Sequence, residues 1–475
     1  MILRRTFLVL PLLCVSLLIF AGIFTRSAGA LTAEEERKLG KKVLLDIERK
    51  SEIVDDLILQ GFIERVGRSL VSYASPAPFD FQFFVIKEQS PNAFAVPGGY
   101  VFVTTGLLVL AENEHEVAGV LSHEIAHVTS RHISEMIDRS KRINIASAAA
   151  MLLGALLGGG GQASGAVAAT AAATAQALTL KYTRENETEA DQNGLHTLAK
   201  SGYDSQGFVT FMNKMNRYSI ANSPKMPAYL STHPALDERL ALMENLIRME
   251  PKSGASPIPL GNYQWVQVRA FVAEREPHVA VKHFESRVKS NGEDVVSLVA
   301  LALAYNKMGR FDKSVEALQR ASSLATQEIE IRRALGVAYF LSGKVNQSIE
   351  TLEPLSYPEG KELSRRDDLV SLYYLGRAYQ EKGEFGKALP ALLKVQREAP
   401  AFAEVYFHLG SVYGRTGEKG LSHFYFGKHF KFKGDGKNAL LHFRTALQAL
   451  DRGSLEATEA QREIKELTEP EKTEG

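Results

Sequence analysis

His123-Glu124-Ile125-Ala126-His127 sets two histidines four residues apart, and a helix puts both imidazoles on one face where a single metal ion can meet them. Glu124 projects about 100° round that helix from His123. It is close enough to take a proton from an attacking water without binding the metal. Val117, Val120, Leu121 and Val128 give the same segment a buried stripe, so Glu114–His132 is expected as one helix.

The flanking sequence supplies a small sheet. Helix-spaced Leu39, Val43, Leu44 and Ile47, then Leu57, Ile63, Val66 and Leu70, run up to Pro76 and Pro78. Phe81–Ile86, aromatic and β-branched, reads as a strand. In the next stretch Pro97-Gly98 fits the centre of a type II turn, with strands near 92–96 and 100–104. Thr105 is expected to cap a short helix through Leu107–Leu110. The strand Asn92, Ala93, Phe94, Ala95 and Val96 could bind an extended substrate by backbone pairing at its edge; the alternative is that it is paired on both sides.

Two histidines leave a metal site short of a ligand. On a later helix, from Lys181 to about Ser201, Glu187 and Asp191 share one face, whereas Glu185 and Glu189 fall on others. A carboxylate at 187 can bind the metal. An aspartate one turn on can accept the N–H of a ligand histidine and fix its tautomer.

These segments together resemble a known family. His123-Glu124-x-x-His127 followed by Arg184-x-x-Glu187-x-x-Ala190-Asp191, with Asn92–Gly99, Thr232-His233-Pro234 and Arg239, is similar to the gluzincin metallopeptidases of the HtpX and CAAX-prenyl endopeptidase family, over roughly residues 35–245. The resemblance implies one zinc ion per chain held by His123, His127 and Glu187, Glu124 as general base, and Asp191 behind the ligands. It sets His233 and Arg239 facing the cleft, with His233 either capping the metal or stabilising an oxyanion; a plain helix-start role for His233 is the alternative. His132 and His196 lack ligand spacing.

The ends bear on location. Arg4 and Arg5, the apolar run Phe7–Phe24 and Ala28-Gly29-Ala30 form an export signal, with cleavage expected after Ala30; an uncleaved inner-membrane anchor is the alternative. Cys14 is the only cysteine and leaves with that signal, so neither disulfides nor a thiolate nucleophile are expected. Without Arg4, Arg5 and Arg26 the chain has 53 basic against 55 acidic residues, which gives no electrostatic case for nucleic acid. Residues 143–180 carry no charge and are divided by Gly158–Gly161; they are expected as hydrophobic helices or a flap near the cleft, with peripheral membrane contact and core packing as alternatives.

Beyond a Pro/Gly/Ser-rich linker at 251–260 the sequence repeats. Leu301-Ala302-x-x-Tyr305, Leu335-Gly336-x-x-Tyr339, Leu375-Gly376-x-x-Tyr379 and Leu409-Gly410-x-x-Tyr413 place tyrosines 34, 40 and 34 residues apart, each followed by a glycine (Gly309, Gly343, Gly383, Gly417). The pattern resembles the tetratricopeptide repeat, with extra residues around 357–366. A weaker unit precedes it (Phe271, Ala280, Phe284) and a last one follows (Gly434, Ala439, Phe443, Ala446).

The expected architecture is therefore mainly α with a small β-sheet: signal peptide 1–30, metallopeptidase domain 31–250, linker 251–260, an all-α solenoid 261–455 and a charged tail 456–475. As a whole the chain resembles the periplasmic beta-barrel assembly-enhancing branch of that family. This implies unfolded or misassembled polypeptides as substrates and outer-membrane assembly machinery as a partner of the repeats. A chaperone working through its repeats, with a silent metal site, is the competing reading. If the linker separates the domains, a chain ending near Ser253 should still fold and cleave.

Overall fold

The computed structural model describes residues 31–139, 149, 152, 182–222, 228–234, 236–249, 261–291, 294–356 and 368–468. The leader, most of 143–180, the linker, the insertion at 357–366 and the last residues of the tail lie outside the described residues.

Two helices open the described residues. α1 (Ala33–Lys50) starts with a reciprocal cap, in which Thr32 Oγ1 accepts from the Glu35 N–H and the Glu35 carboxylate accepts from the Thr32 N–H. α2 (Leu57–Val71) starts at Asp56, whose carboxylate accepts from the N–H groups of Ile58 and Leu59. The helix-spaced Leu39, Val43, Ile47, Leu59, Ile63, Val66 and Leu70 are all buried.

The sheet has three strands in the order β1-β3-β2: β1 (Gln82–Ile86), β2 (Ala93–Val96) and β3 (Tyr100–Thr104). β1 runs parallel to β3, and β2 pairs antiparallel with β3, with Phe94 opposite Phe102. Gly98, at φ 86°, takes the left-handed position a type II turn requires. The short helix α3 (Thr105–Leu110) is capped by Thr104 rather than Thr105. Thr105 Oγ1 is engaged elsewhere, donating to the Glu88 carbonyl and accepting from the Glu88 N–H.

The motif helix is shorter than its sequence suggests. α4 (Glu114–Thr129) stops, Arg131 adopts φ 57°, and a second helix α5 (His132–Arg139) begins. Arg131 is held in that unusual conformation by Glu36, 2.6 Å from its Nε, and by the Leu31 carbonyl. Among the described residues, α6 (Arg184–Lys200), α7 (Gln206–Ala221), α8 (Ala228–Thr232) and α9 (Leu236–Met249) follow. α4 is the centre of the core, packed by α2, α6, α7 and β2.

The repeat region consists, among the described residues, of α10 (Gln264–Glu274), α11 (Pro277–Asn291), α12 (Val295–Lys307), α13 (Phe311–Leu324), α14 (Ile329–Leu341), α15 (Val345–Ser356), α16 (Leu369–Glu381), α17 (Phe385–Glu398), α18 (Ala403–Arg415), α19 (Lys419–Phe432), α20 (Gly436–Ala449) and α21 (Leu455–Thr468). Gly309, Gly343, Gly383 and Gly417 all have φ between 68° and 89°, which turns one helix of a repeat into the next. The small residue in the Leu-Gly pair is steric: a Cβ on Gly336 would lie 2.4 Å from Leu352. The first helices of successive pairs, α10, α12, α14, α16 and α18, also touch one another and form one side of the stack.

Two expectations need correction. Residues 456–468 are not tail but most of α21, which buries Ala457, Ala460 and Glu463, the last paired with Lys428 and Lys431. The repeats are also not merely tethered to the preceding domain. Tyr263, Val266 and Ala270 belong to the same apolar core as Phe62, Leu107 and Leu108. Tyr263 OH donates to the Leu108 carbonyl at 2.7 Å, and Gln267 Nε2 donates to the carbonyls of Val109 (2.9 Å) and Ala111 (3.1 Å). α10 thus caps the last carbonyls of α3.

Candidate metal centre

The helix that presents the motif is buried almost throughout, so its polar residues must be satisfied inside the protein. His123 and His127 bring their Nε2 atoms to 2.9 Å of each other. α6 crosses α4 at this level because Gly194 has no side chain; a Cβ there would lie 3.2 Å from the His123 backbone. That approach places Glu187 carboxylate oxygens 3.6 Å from both His123 Nε2 and His127 Nε2. His233, immediately after α8, adds its Nδ1 at 2.9 Å from Glu187 Oε1 and 3.3 Å from His123 Nε2. One potential ligand atom from each of His123, His127, Glu187 and His233 lies within 4.8 Å of the others, and all four residues are buried.

These residues fit a divalent cation. Three imidazoles and one carboxylate converge, a donor set that suits a borderline-soft metal. Two buried atoms beside them, His233 Nε2 and Glu124 Oε1, lack hydrogen-bond partners and face each other at 3.5 Å.

The surrounding residues hold the ligands in place. Asp191 Oδ1 lies 2.9 Å from His123 Nδ1, and Arg239 donates to both Asp191 oxygens at 2.7 and 2.8 Å. Arg239 Nη1 also lies 2.5 Å from Glu187 Oε2. Arg239 is therefore buried as a clamp on two carboxylates. Burial opposes ionisation of Glu187 and Asp191, but His233 and Arg239 beside Glu187, and Arg239 and His123 beside Asp191, hold both below the usual carboxylate range.

Glu124 behaves differently. Burial, reinforced by the charge on Glu187, pushes its carboxyl up to about 7, against the opposing pull of His233. Its Oε2 accepts from the Ala95 N–H at 3.1 Å. Thr104 N–H bonds the Asn92 carbonyl, so residues 92, 94 and 96 face β3 while 93 and 95 point to the outer edge of the sheet. Glu124 is therefore bound to an outward amide of the strand singled out for substrate pairing. In this state Ala93–Val96 are buried.

Three more residues complete the site: Tyr182 and Tyr229, which the sequence reading passed over, and His132, which it set aside as a ligand for want of spacing. Tyr182 stacks on His127 with ring centroids 3.8 Å apart, and Tyr229 stacks on His233 at 4.5 Å. His132 brings its Nδ1 to 2.9 Å from His127 Nδ1, with Glu189 Oε2 3.5 Å from its other nitrogen. Of the two tyrosines, only Tyr229 left a signal in the sequence, one helical turn before His233. Glu189 is turned away from the centre and accepts from Ser130 Oγ at 2.8 Å.

Comparison with known proteins agrees with this geometry. Residues 58–247 match the model of peptidase family M48, and residues 295–328 match a tetratricopeptide repeat. The chain carries an M48 metallopeptidase domain followed by tetratricopeptide repeats. A Vibrio cholerae protein is 33% identical over 237 residues, covering 50% of this chain and 49% of that one. The beta-barrel assembly-enhancing protease of Yersinia pestis is 34% identical over 233 residues, covering 48% of each chain. The protein of that name from Escherichia coli strain K12 is 32% identical over 224 residues, covering 46% of this chain and 45% of that one. The chain thus spans about half the length of the curated relatives it matches. No helix among the described residues of the M48 domain or the repeats is long and apolar enough to cross a membrane.

Proposed function

We propose that the protein is an exported, zinc-dependent endopeptidase that cleaves unfolded or misassembled polypeptides in the assembly of outer-membrane beta-barrel proteins. The observation that carries this reading is the convergence of His123, His127 and Glu187 with Glu124 beside them, on an M48 domain. The names of the relatives, the export signal at 1–30 and the repeats supply the setting. A zinc ion held by His123, His127 and Glu187 would supply Lewis acidity to the scissile carbonyl and its attacking water.

The chain's own groups do the rest. Glu124 takes the proton from the attacking water and returns it to the leaving amine. Burial raises that carboxyl, and the charge of a bound metal would pull it back toward the ionised form that accepts a proton. Asp191 and Arg239 keep His123 and Glu187 oriented. An extended substrate would pair with the outer edge of β2 through Ala93 and Ala95, which reads backbone rather than side chains and suits clients without a fixed sequence.

His233 favours a restrained resting state. It occupies the fourth place beside the two imidazoles and Glu187, where substrate and water must enter. Its withdrawal would open that place.

Incubating the purified Glu124→Gln protein with outer-membrane precursors and identifying what stays bound tests the reading. Trapped beta-barrel polypeptides, cleaved by the unaltered protein, are the expected result. Equal cleavage by both proteins would refute it.

A further inference from the structure

The solenoid side formed by α10, α12, α14, α16 and α18 carries a line of cations, most of them met by carboxylates. Arg269 on α10 contacts Glu330 at 2.9 Å and Asp56 at 3.3 Å. Arg333 on α14 contacts Asp368 at 2.5 Å as well as Glu330. Lys433, just after α19, lies 2.7 Å from Glu404 and 3.6 Å from Asp55. Asp55 and Asp56 come from outside the repeats, in the segment that leads into α2. They are consecutive, and Asp56 has extended backbone at φ −122° and ψ 111°. The protein thus lays an extended acidic segment of its own against this face.

Arg377 on α16 is the exception. Its guanidinium carbon lies 4.6 Å from the Phe340 ring centre, 5.1 Å from Tyr374 and 5.4 Å from Tyr373. Among the described residues no carboxylate comes within ion-pair distance, and its Nε is buried without an acceptor. The Tyr374 hydroxyl hydrogen-bonds the guanidinium. Beyond it, Gln380 is committed to His408 and Ser411, each at 3.0 Å. Three rings stabilise the charge, and the Tyr374 hydroxyl is a neutral, single acceptor that leaves Nε unmet. A carboxylate is the planar acceptor that matches the fork.

We propose that Arg377 is the receptor for an acidic side chain, Asp or Glu, in an extended segment of a partner protein. The segment continues along the face on which Asp55 and Asp56 already lie. The rings of Phe340, Tyr373 and Tyr374 hold the guanidinium flat and partly dry, which raises the gain from a charged acceptor. Recognition at this site does not depend on the metal centre being active.

Fluorescence anisotropy tests this with a labelled ten-residue Gly/Ser peptide carrying a central Asp-Asp and a C-terminal amide. The full-length Glu124→Gln protein is the receptor, so that hydrolysis cannot remove the probe and failure leaves the peptidase reading untouched. The Asp-Asp peptide is expected to bind at least about tenfold more tightly than its Asn-Asn counterpart. Arg377→Gln is expected to remove that preference, and Arg377→Lys, which keeps the charge and loses the fork, to retain part of it. Should Arg377→Gln not fold, Arg377→Lys together with the Asp/Asn contrast decides. No binding of the Asp-Asp peptide at millimolar concentration overturns the proposal. So does equal binding of both peptides, or an Asp/Asn preference unchanged in the Arg377 variants. An Asn-Asn peptide with a free C-terminus that binds as tightly as the Asp-Asp amide would make the ligand a chain terminus and overturn it as well.

Discussion

His132 Nδ1 lies 2.9 Å from His127 Nδ1, so one ring must donate to the other. If His127 gives its Nε2 to a metal, its Nδ1 carries the proton and His132 accepts it. The remaining His132 N–H then faces Glu189, 3.5 Å away. His132 is thus a positioning residue rather than a ligand. His132→Ala should weaken metal binding by about 10–100-fold without changing the stoichiometry. Glu189→Ala should have a smaller effect in the same direction. Competition titration against a chelator reads both, and loss of the bound metal in His132→Ala would instead make it a ligand.

Glu124→Gln should keep the metal and slow cleavage of unfolded protein by at least about 100-fold. Glutamine can still accept the Ala95 N–H through its amide oxygen, so the strand stays in place. Metal analysis beside a casein assay separates the two effects; loss of metal with activity would contradict the assigned role.

Arg239→Ala should cost about 3–5 kcal/mol, because it leaves Asp191 and Glu187 as buried charges without their shared cation. Thermal unfolding of the metal-free protein reads this directly. Arg239→Lys should recover only part, since one ammonium cannot reproduce the bidentate contact. An unchanged unfolding midpoint for Arg239→Ala would show that the clamp does not matter to stability.

A chain ending near Ser253 should aggregate or unfold at a clearly lower temperature than one ending after Glu274. The shorter chain strips Tyr263, Val266 and Ala270 from the core and leaves the carbonyls of Leu108, Val109 and Ala111 without their partners. Soluble yield and unfolding midpoint decide between them; equal stability would show that α10 is dispensable to the M48 domain.

His408 gives a pH signature in the repeats. Burial, helped by the Arg377 charge, pulls its imidazole down to about 4, while the unfolded chain titrates near 6.5. The unfolded state therefore binds more protons between these values, and stability falls as pH drops through that window. The loss should be on the order of 1–3 kcal/mol by pH 4. His408→Gln should fall less over the same range, read as unfolding midpoints against pH; identical slopes would exclude His408 as the source.

Local spacing carried much of this architecture. His123 and His127 share a face whatever surrounds them, and Glu187 with Asp191 obeys the same rule on α6, so these two pairs were legible before any coordinates. The His132 contact was not, because it depends on Arg131 breaking the helix at φ 57°, a conformation fixed by distant Glu36. Tyr182 was equally hidden, since its stacking on His127 follows from how α6 is delivered rather than from any local period. The docking of α10 misled for another reason. Gln264–Glu274 has the apolar spacing of a repeat helix, and nothing local records that Tyr263 and Gln267 end on carbonyls more than 150 residues away.

The grip of α10 on α3 gives the molecule a mechanical property. Tyr263 and Gln267 hold the carbonyls of Leu108, Val109 and Ala111, and Asn113 caps the motif helix directly after them. A pull on the solenoid therefore bears first on the root of α4, not on a slack tether. Tension from a client strung between the two domains would enter α4 at its N-terminus, about three turns before His123, and the solenoid would act on that helix as a crank acts on its shaft.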